Sequence, residues 1–318
     1  MVGILCSPRK EIRLARALSK IKMLDMKDRR LPVVVFSMPN INLIDKTFYG
    51  SLISEKTITT LSTNLPQIIF NFAVQHKKTD IKKLRNLMET ENLTLLNLAN
   101  SFNQWSIMEM LSSDPQTKRY IMPHMSITKE NLSLDFKETG SFIIKPQKGS
   151  NLSKTIYGSQ VGSGFNLYNW NGHPYSHLFD IQSAIFPTIR KGKWVLLKTP
   201  ELITYNNKLL TMRSYLKRNA DGKWEVVLKT SISQTELNDI NSDVKVDDAV
   251  LQVMNCINCF IADLVFCSIN LVFGRDGTPY FLNLGGWQNL LLGKKQNKIL
   301  FNSLCQNMMT YSQILRNT

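Results

Sequence analysis

FIIKPQKGSNLSK, residues 142–154, is the stretch with the most chemical content. A strand-like apolar run ends at Lys145, a turn follows with Gly149 and Ser150, and Lys148 and Lys154 flank it. A flexible loop of this kind lets backbone N–H groups approach phosphate oxygens, and lysines add compact positive charge. The GxxxxGK[ST] spacing of a Walker A loop is missing. The competing reading is a surface hairpin with solvated lysines. A second stretch, YFLNLGGWQ at 280–288, reads as the end of a buried strand broken by Gly285 and Gly286. Its polar position is Asn283, an amide where a metal site would place a carboxylate.

Other constellations are weaker. His173 and His177 stand four apart in HPYSH, but Pro174 disfavours a helix through them and no third ligand accompanies them. His76 and His124 complete the four histidines. No G-x-S-x-G elbow is present for a serine hydrolase. Cys256 and Cys259 form a CxxC, yet NCINCF lies in a helix-like apolar run with no second pair downstream. They are expected to be buried thiols, as are Cys6, Cys267 and Cys305, and the reading that follows is a reducing, cytoplasmic context. Trp105, Trp170, Trp194, Trp224 and Trp287 are expected in the core.

The elements that must position these groups follow from periodicity. VGILC (2–6), PVVVFSM (32–38) and PQIIFNF (66–72) read as buried strands, with helical patterns at 10–23, 79–91 and 103–112. This alternation predicts an α/β domain to about residue 99. Beyond it, 140–160 reads as two strands around the glycine- and serine-containing loop, and strands recur at 165–170 and 193–198. RNADGKWE makes 208–232 a hairpin through Asp221-Gly222. A helix at 244–264 precedes FCSINLVF and TPYFLNL, which pair across RDGT, and a helix at 296–314 follows. Antiparallel hairpins with interspersed helices make the second part α+β.

The 318 residues are 43% hydrophobic and 20% charged, a globular composition. No run approaches the roughly 18 apolar residues of a membrane span, and the N-terminal apolar run is too short for a signal peptide. The net charge of +15 favours an anionic partner. The lysines are scattered and aromatics do not alternate with them, so specific nucleic-acid binding is not expected.

The order of several segments resembles the YheC/YheD family, endospore coat-associated proteins with an ATP-grasp fold. VGIL, VVVFSMPNINLIDKTFYGSLI, LPQIIFNF, the run from LLNLANSFNQW to IMPHMSI, FIIKPQKGS, LLTMRSYLKRNADGKWEV and SINLVFGRDGTPYFLNL follow the family's sequence of motifs through almost the whole chain. The resemblance implies an N-terminal pre-ATP-grasp domain (1–99) and an ATP-grasp domain (100–318), with subdomains of roughly 100–190 and 191–318. It places Lys145 at the phosphate-facing lysine, Lys148, Gly149, Ser150, Lys154 and Lys198 among the nucleotide contacts, and Arg213 at a phosphate-gripping arginine. The acidic positions have changed: Thr211, Asn270 and Asn283 stand where the family has carboxylates, and Gly285 where it has an asparagine. Gln104 replaces a lysine, and Asn151-Leu152-Ser153 replaces loop glycines.

Magnesium wants hard anionic oxygens, which asparagine does not supply. The expectation is therefore a protein that takes ATP or another small anion in a basic cleft, with a degenerate magnesium site and without turnover. Its expected setting is the mother-cell cytoplasm and the spore coat, with coat proteins as partners. The alternatives are an active carboxylate–amine ligase with its metal on Asp263, Asp276 or Glu236, and a purely structural spore protein.

Overall fold

Val2–Cys6 (β1) is apolar and buried at every position, as a strand flanked on both sides and covered on both faces must be. It pairs in parallel with β2 (Val33–Asn42) and with β5 (Ile68–Asn71). Beyond β2 the sheet turns antiparallel through β3 (Thr47–Ser54) and β4 (Thr57–Asn64), and beyond β5 it ends in β6 (Thr94–Leu96). Six strands thus run in the order β4-β3-β2-β1-β5-β6. Two helices belong to this part: α1 (Glu11–Leu18), shorter than the 10–23 pattern suggests, and α2 (Lys78–Met88). The computed structural model describes residues 1–20, 32–54, 57–74, 78–127, 140–149, 152–161, 164–175, 192–219, 221–231, 243–287 and 294–317.

After α3 (Gln104–Ser113) come two antiparallel sheets. The first holds β7 (His124–Ile127), β8 (Ser141–Pro146), β9 (Ile156–Val161), β10 (Gly164–Asn169) and β11 (Trp194–Thr199) in the order β10-β9-β8-β11-β7. A two-stranded ladder, β12 (Thr204–Tyr205) with β13 (Lys208–Leu209), leads to the second. That sheet orders β14 (Thr211–Arg218), β15 (Trp224–Ser231), β16 (Phe266–Phe273) and β17 (Pro279–Gly285) as β15-β14-β16-β17. Both expected hairpins are present, and Gly222 and Gly277 each sit at φ +78°, the left-handed turn position that glycine takes without steric cost. β11 pairs with β8 and β7, so the change of sheet comes after Thr199 and not at residue 190.

Helix α4 (Asp243–Asn258) packs Val246, Ala249, Val250, Val253 and Met254 into a core shared with α3 and both antiparallel sheets. A second core takes the opposite face. There Leu300, Phe301, Leu304 and Met308 of α5 (Lys294–Asn317) meet Val2, Ile4 and Leu18 as well as Tyr215, Phe266 and Trp287. The last helix therefore returns to the first strand. No described helix is long and apolar enough to cross a membrane.

Candidate functional site

The site is built around an irregularity in β17. Asn270 of β16 faces Asn283, but its neighbour Leu271 faces Phe281, which leaves Leu282 as the extra residue of a β-bulge. A bulge residue has no ladder partner, so its polar groups are open to others. The ammonium of Lys145, on β8 of the other sheet, donates to the Leu282 carbonyl. Lys145 is 2% exposed, and among the described residues no carboxylate forms an ion pair with it. Burial pulls its pKa from the ordinary 10.5 down to about 7, because a charged ammonium out of water is disfavoured.

Next to the bulge the two asparagines are directly opposite each other and both are buried. The Asn270 amide N–H donates to Asn283 Oδ1, and Asn270 Oδ1 accepts from Arg213 Nε at 2.7 Å. Arg213 is the register partner of Asn270 on β14. Lys145, Leu282, Asn283, Asn270 and Arg213 therefore form one connected series across two sheets. Thr211 lies two residues before Arg213 on the same strand face, buried, its hydroxyl without a partner among the described residues. The half-buried guanidinium of Arg213 keeps Nη1 and Nη2 without a hydrogen-bond partner among the described residues.

Helix α3 clamps the lysine loop to β17. Asn103 caps the helix, its side chain accepting from the N–H groups of Trp105 and Ser106. Gln104, fully buried, pairs its amide with the Leu284 backbone: Nε2 donates to the carbonyl at 2.8 Å and Oε1 accepts from the N–H at 2.9 Å. Its own backbone N–H donates to the Gln147 carbonyl at 2.6 Å, and the Gly149 N–H donates to the Phe102 carbonyl at 3.1 Å. The Gly149 N–H is thus engaged within the protein. Lys148 is exposed beside Asn103, and Lys154 is exposed too. Ser150, Asn151, Glu236, His76 and His177 lie outside the described residues.

Other expected residues stand elsewhere. Lys198 is exposed and pairs with Phe142, so it projects from the face of β11 opposite that of Val195 and its partner Lys145. The carboxylate of Asp263 accepts from the Leu98 N–H at 2.6 Å, and that of Asp276 is held in its hairpin turn by the Thr278 N–H and hydroxyl. Trp287 fills no cleft. It is fully buried against Phe266 at 4.6 Å between ring centroids, and its Nε1 donates to the Cys267 carbonyl. Cys259 is exposed and Cys256 half-buried, so the expectation of buried thiols fails for this pair, since both sit where α4 runs out into solvent. His173 is exposed, and His124 Nε2 lies 3.0 Å from Glu109 Oε1.

Sequence reading did not single out the junction between the two halves. Asn97, in left-handed backbone at φ 61°, accepts on Oδ1 from the N–H groups of Val265 and Phe266 and donates from Nδ2 to the Phe266 carbonyl. Asn100 Nδ2 donates to the carbonyls of Asn71 and Ala73, and Asn71 Nδ2 to those of Asn97 and Leu98. Three buried amides thus knit the end of β5 to the approach to β16. Isolated polar residues in apolar context are the signal that would have found them.

Among the described residues, the donor set around Arg213 does not fit a protein-held magnesium ion. Such an ion needs anionic oxygens, whereas both amide oxygens here are neutral and already accept hydrogen bonds. Among the described residues no group of three or more His, Cys, Asp or Glu converges. The residues fit a small anion better: the free fork of Arg213 matches two phosphate oxygens, with Lys148 as a solvent-facing cation.

Residues 92–234 match the protein family described as YheC/D like ATP-grasp. This stretch, less than half of the chain, is similar to a YheC/D-like ATP-grasp domain. No curated protein matches it in sequence. Solved ATP-grasp ligases share the whole architecture. D-alanyl-alanine synthetase A of Vibrio cholerae superposes with a TM-score of 0.59 at 12% identity, over 100% of this chain and 98% of that one. The D-alanine–D-alanine ligase of Aeromonas hydrophila gives 0.57 at 11%, over 98% and 99%. That of Bacillus anthracis, complexed with ATP, gives 0.53 at 12%, over 100% and 98%. At these identities the likeness is one of fold. Within the ATP-grasp domain and its flanks, Lys145 and Arg213 belong to one connected site while Lys198 does not.

Proposed function

We propose that this ATP-grasp protein binds a nucleotide or another small anion without a protein-held magnesium ion, and does not turn it over. One observation carries the reading: Asn270 hydrogen-bonds to Asn283 and to Arg213 where an active relative would need carboxylates. Acyl-phosphate chemistry brings negative phosphate oxygens to an incoming nucleophile, and metal on carboxylates relieves that repulsion. Neutral amides leave the charge unrelieved. They also orient the guanidinium, so its two free nitrogens offer a bidentate grip on an oxyanion. Lys145, near half-protonated at neutral pH, supports the β17 bulge from below.

Of the carboxylates named for the ligase alternative, Asp263 and Asp276 are engaged elsewhere, and Glu236 lies outside the described residues. The ATP complex of a structural neighbour makes ATP the first ligand to test. The YheC/D likeness supports a setting in the mother-cell cytoplasm and at the endospore coat, among coat proteins. A fluorescent fusion that stays off the forespore surface would rule that setting out.

Calorimetry of ATP binding, with and without Mg²⁺, on the wild type and Arg213→Ala tests the site. Metal-independent binding that is lost in Arg213→Ala is the expected result. Binding that strengthens with Mg²⁺ would overturn the metal-free reading and restore the ligase. No binding in either condition would leave the fold as a scaffold.

A further inference from the structure

The end of α4 carries two thiols that the anion site does not use. Cys256 lies in the last turn of the helix and Cys259 just beyond it, one half-buried and the other exposed, both free. Here the chain tightens. The Cys259 N–H donates to the Cys256 carbonyl at 3.2 Å, and the Phe260 N–H to the Ile257 carbonyl at 3.0 Å. These are bonds of 3₁₀ type, in which side chains three apart eclipse each other. On an α-helix such neighbours have Cβ atoms about 5–6 Å apart, and a disulfide needs about 3.5–4.5 Å. Closure therefore asks the final turn to contract by about 1–2 Å, at the place where a helix frays most readily.

The surroundings give the two thiols different roles. Cys256 hydrogen-bonds with the carboxylate of Asp114 and the hydroxyl of Thr117, in the turn that ends α3. Burial, and then the Asp114 charge, raise its pKa and keep it a thiol. Cys259 stands in solvent, its Sγ reaching the Asn255 carbonyl at 3.5 Å. The remaining thiols, Cys6, Cys267 and Cys305, are buried.

We propose that Cys256 and Cys259 are a reversible dithiol–disulfide site, closed by a small-molecule disulfide. The Cys259 thiolate attacks one sulfur of the reagent, forming a mixed disulfide and expelling one thiolate. The Cys256 sulfur, after losing its proton to water, attacks Cys259 Sγ and expels the second. Two protein thiols are oxidised by two electrons, one disulfide is reduced to two thiols, and the two cysteine protons end on those thiols. Closure draws Cys256 away from Asp114, the C-terminal cap of the helix whose other end holds Gln104 on β17.

The test incubates the full chain with oxidised glutathione, then measures intact mass and maps alkylated cysteines. The expected product has lost two hydrogens and carries no alkylation at Cys256 or Cys259, with reduction by dithiothreitol restoring both. Cys256→Ser is expected to hold glutathione on Cys259, and Cys259→Ser to stay unmodified. A wild-type chain that keeps a glutathione adduct on Cys259 without closing, or that stays fully alkylated at both positions, would overturn the proposal. Both of those outcomes are measured on the wild type, so they hold however the variants fold.

Discussion

The ammonium of Lys145 donates to the carbonyl of Leu282, the residue of β17 that the bulge leaves without a partner on β16. The bulge and the lysine explain each other. The bulge leaves Leu282 without a register partner on β16, and a buried lysine without an acceptor would be costly to keep. The same contact joins the sheet of β8 to the sheet of Arg213, so two of the expected anion contacts are mechanically coupled before any ligand arrives.

Lys145 makes stability depend on pH in a defined direction. Its pKa is about 7 in the folded chain against an ordinary 10.5, so between those values the unfolded state holds more protons. Stability then rises as pH climbs from about 7 towards 10.5, and the full penalty applies below pH 7. Lys145→Met is expected to flatten this rise. Urea midpoints across the alkaline range check it; an equal slope in both proteins would sink the idea.

Restoring carboxylates at both amide positions should create a metal dependence that the wild type lacks. In Asn270→Asp/Asn283→Asp the two like charges are directly opposite, and the amide-to-amide bond is gone. A loss on the order of 1–3 kcal/mol without metal is expected. Thermal melts should show Mg²⁺ recovering part of that loss in the double variant and shifting the wild type little.

The junction asparagine is a stability determinant. Asn97→Ala leaves the N–H groups of Val265 and Phe266 and the Phe266 carbonyl without their partner, and puts at φ 61° a residue that tolerates left-handed backbone less well than asparagine. A loss on the order of 3–4 kcal/mol follows from those unpaired groups. Asn97→Gly, free of the backbone strain, should recover about 1 kcal/mol of it. Denaturant midpoints of the two variants separate amide from backbone.

Gly286 is closed to any side chain. An added Cβ would lie 2.3 Å from Asn100 Oδ1 and 2.8 Å from its Cβ, while the Gly286 N–H donates to the Asn100 carbonyl. Gly286→Ala is expected to lose roughly 1–3 kcal/mol through overpacking. An unchanged melting temperature would show that the junction yields easily.

The sequence made the buried strands legible because β1, β2 and β5 are continuous apolar runs, and the hairpins because Asp-Gly marks their turns. β4 left no such mark. Its residues, TITTLSTN, are mostly exposed, so no period-2 alternation of apolar and polar positions arises. The resemblance singled out Lys145 and Arg213, yet their hydrogen-bond partners were not legible. A bulge carbonyl 137 positions away and an amide 57 positions away are products of register, which local composition does not encode. The face that Lys198 takes was hidden for the same reason, since strand pairing alone decides it.

The return of α5 to β1 bears on how the polypeptide is made. Val2 and Ile4 reach their final neighbours when Leu300, Phe301 and Leu304 arrive, nearly the whole length of the chain later. During synthesis that face of the first sheet therefore emerges from the ribosome with α1 packed on it and the rest of its apolar surface still waiting for later elements. Ribosome-stalled chains ending before α5 are therefore expected to be more protease-sensitive across β1 and α1 than the full chain.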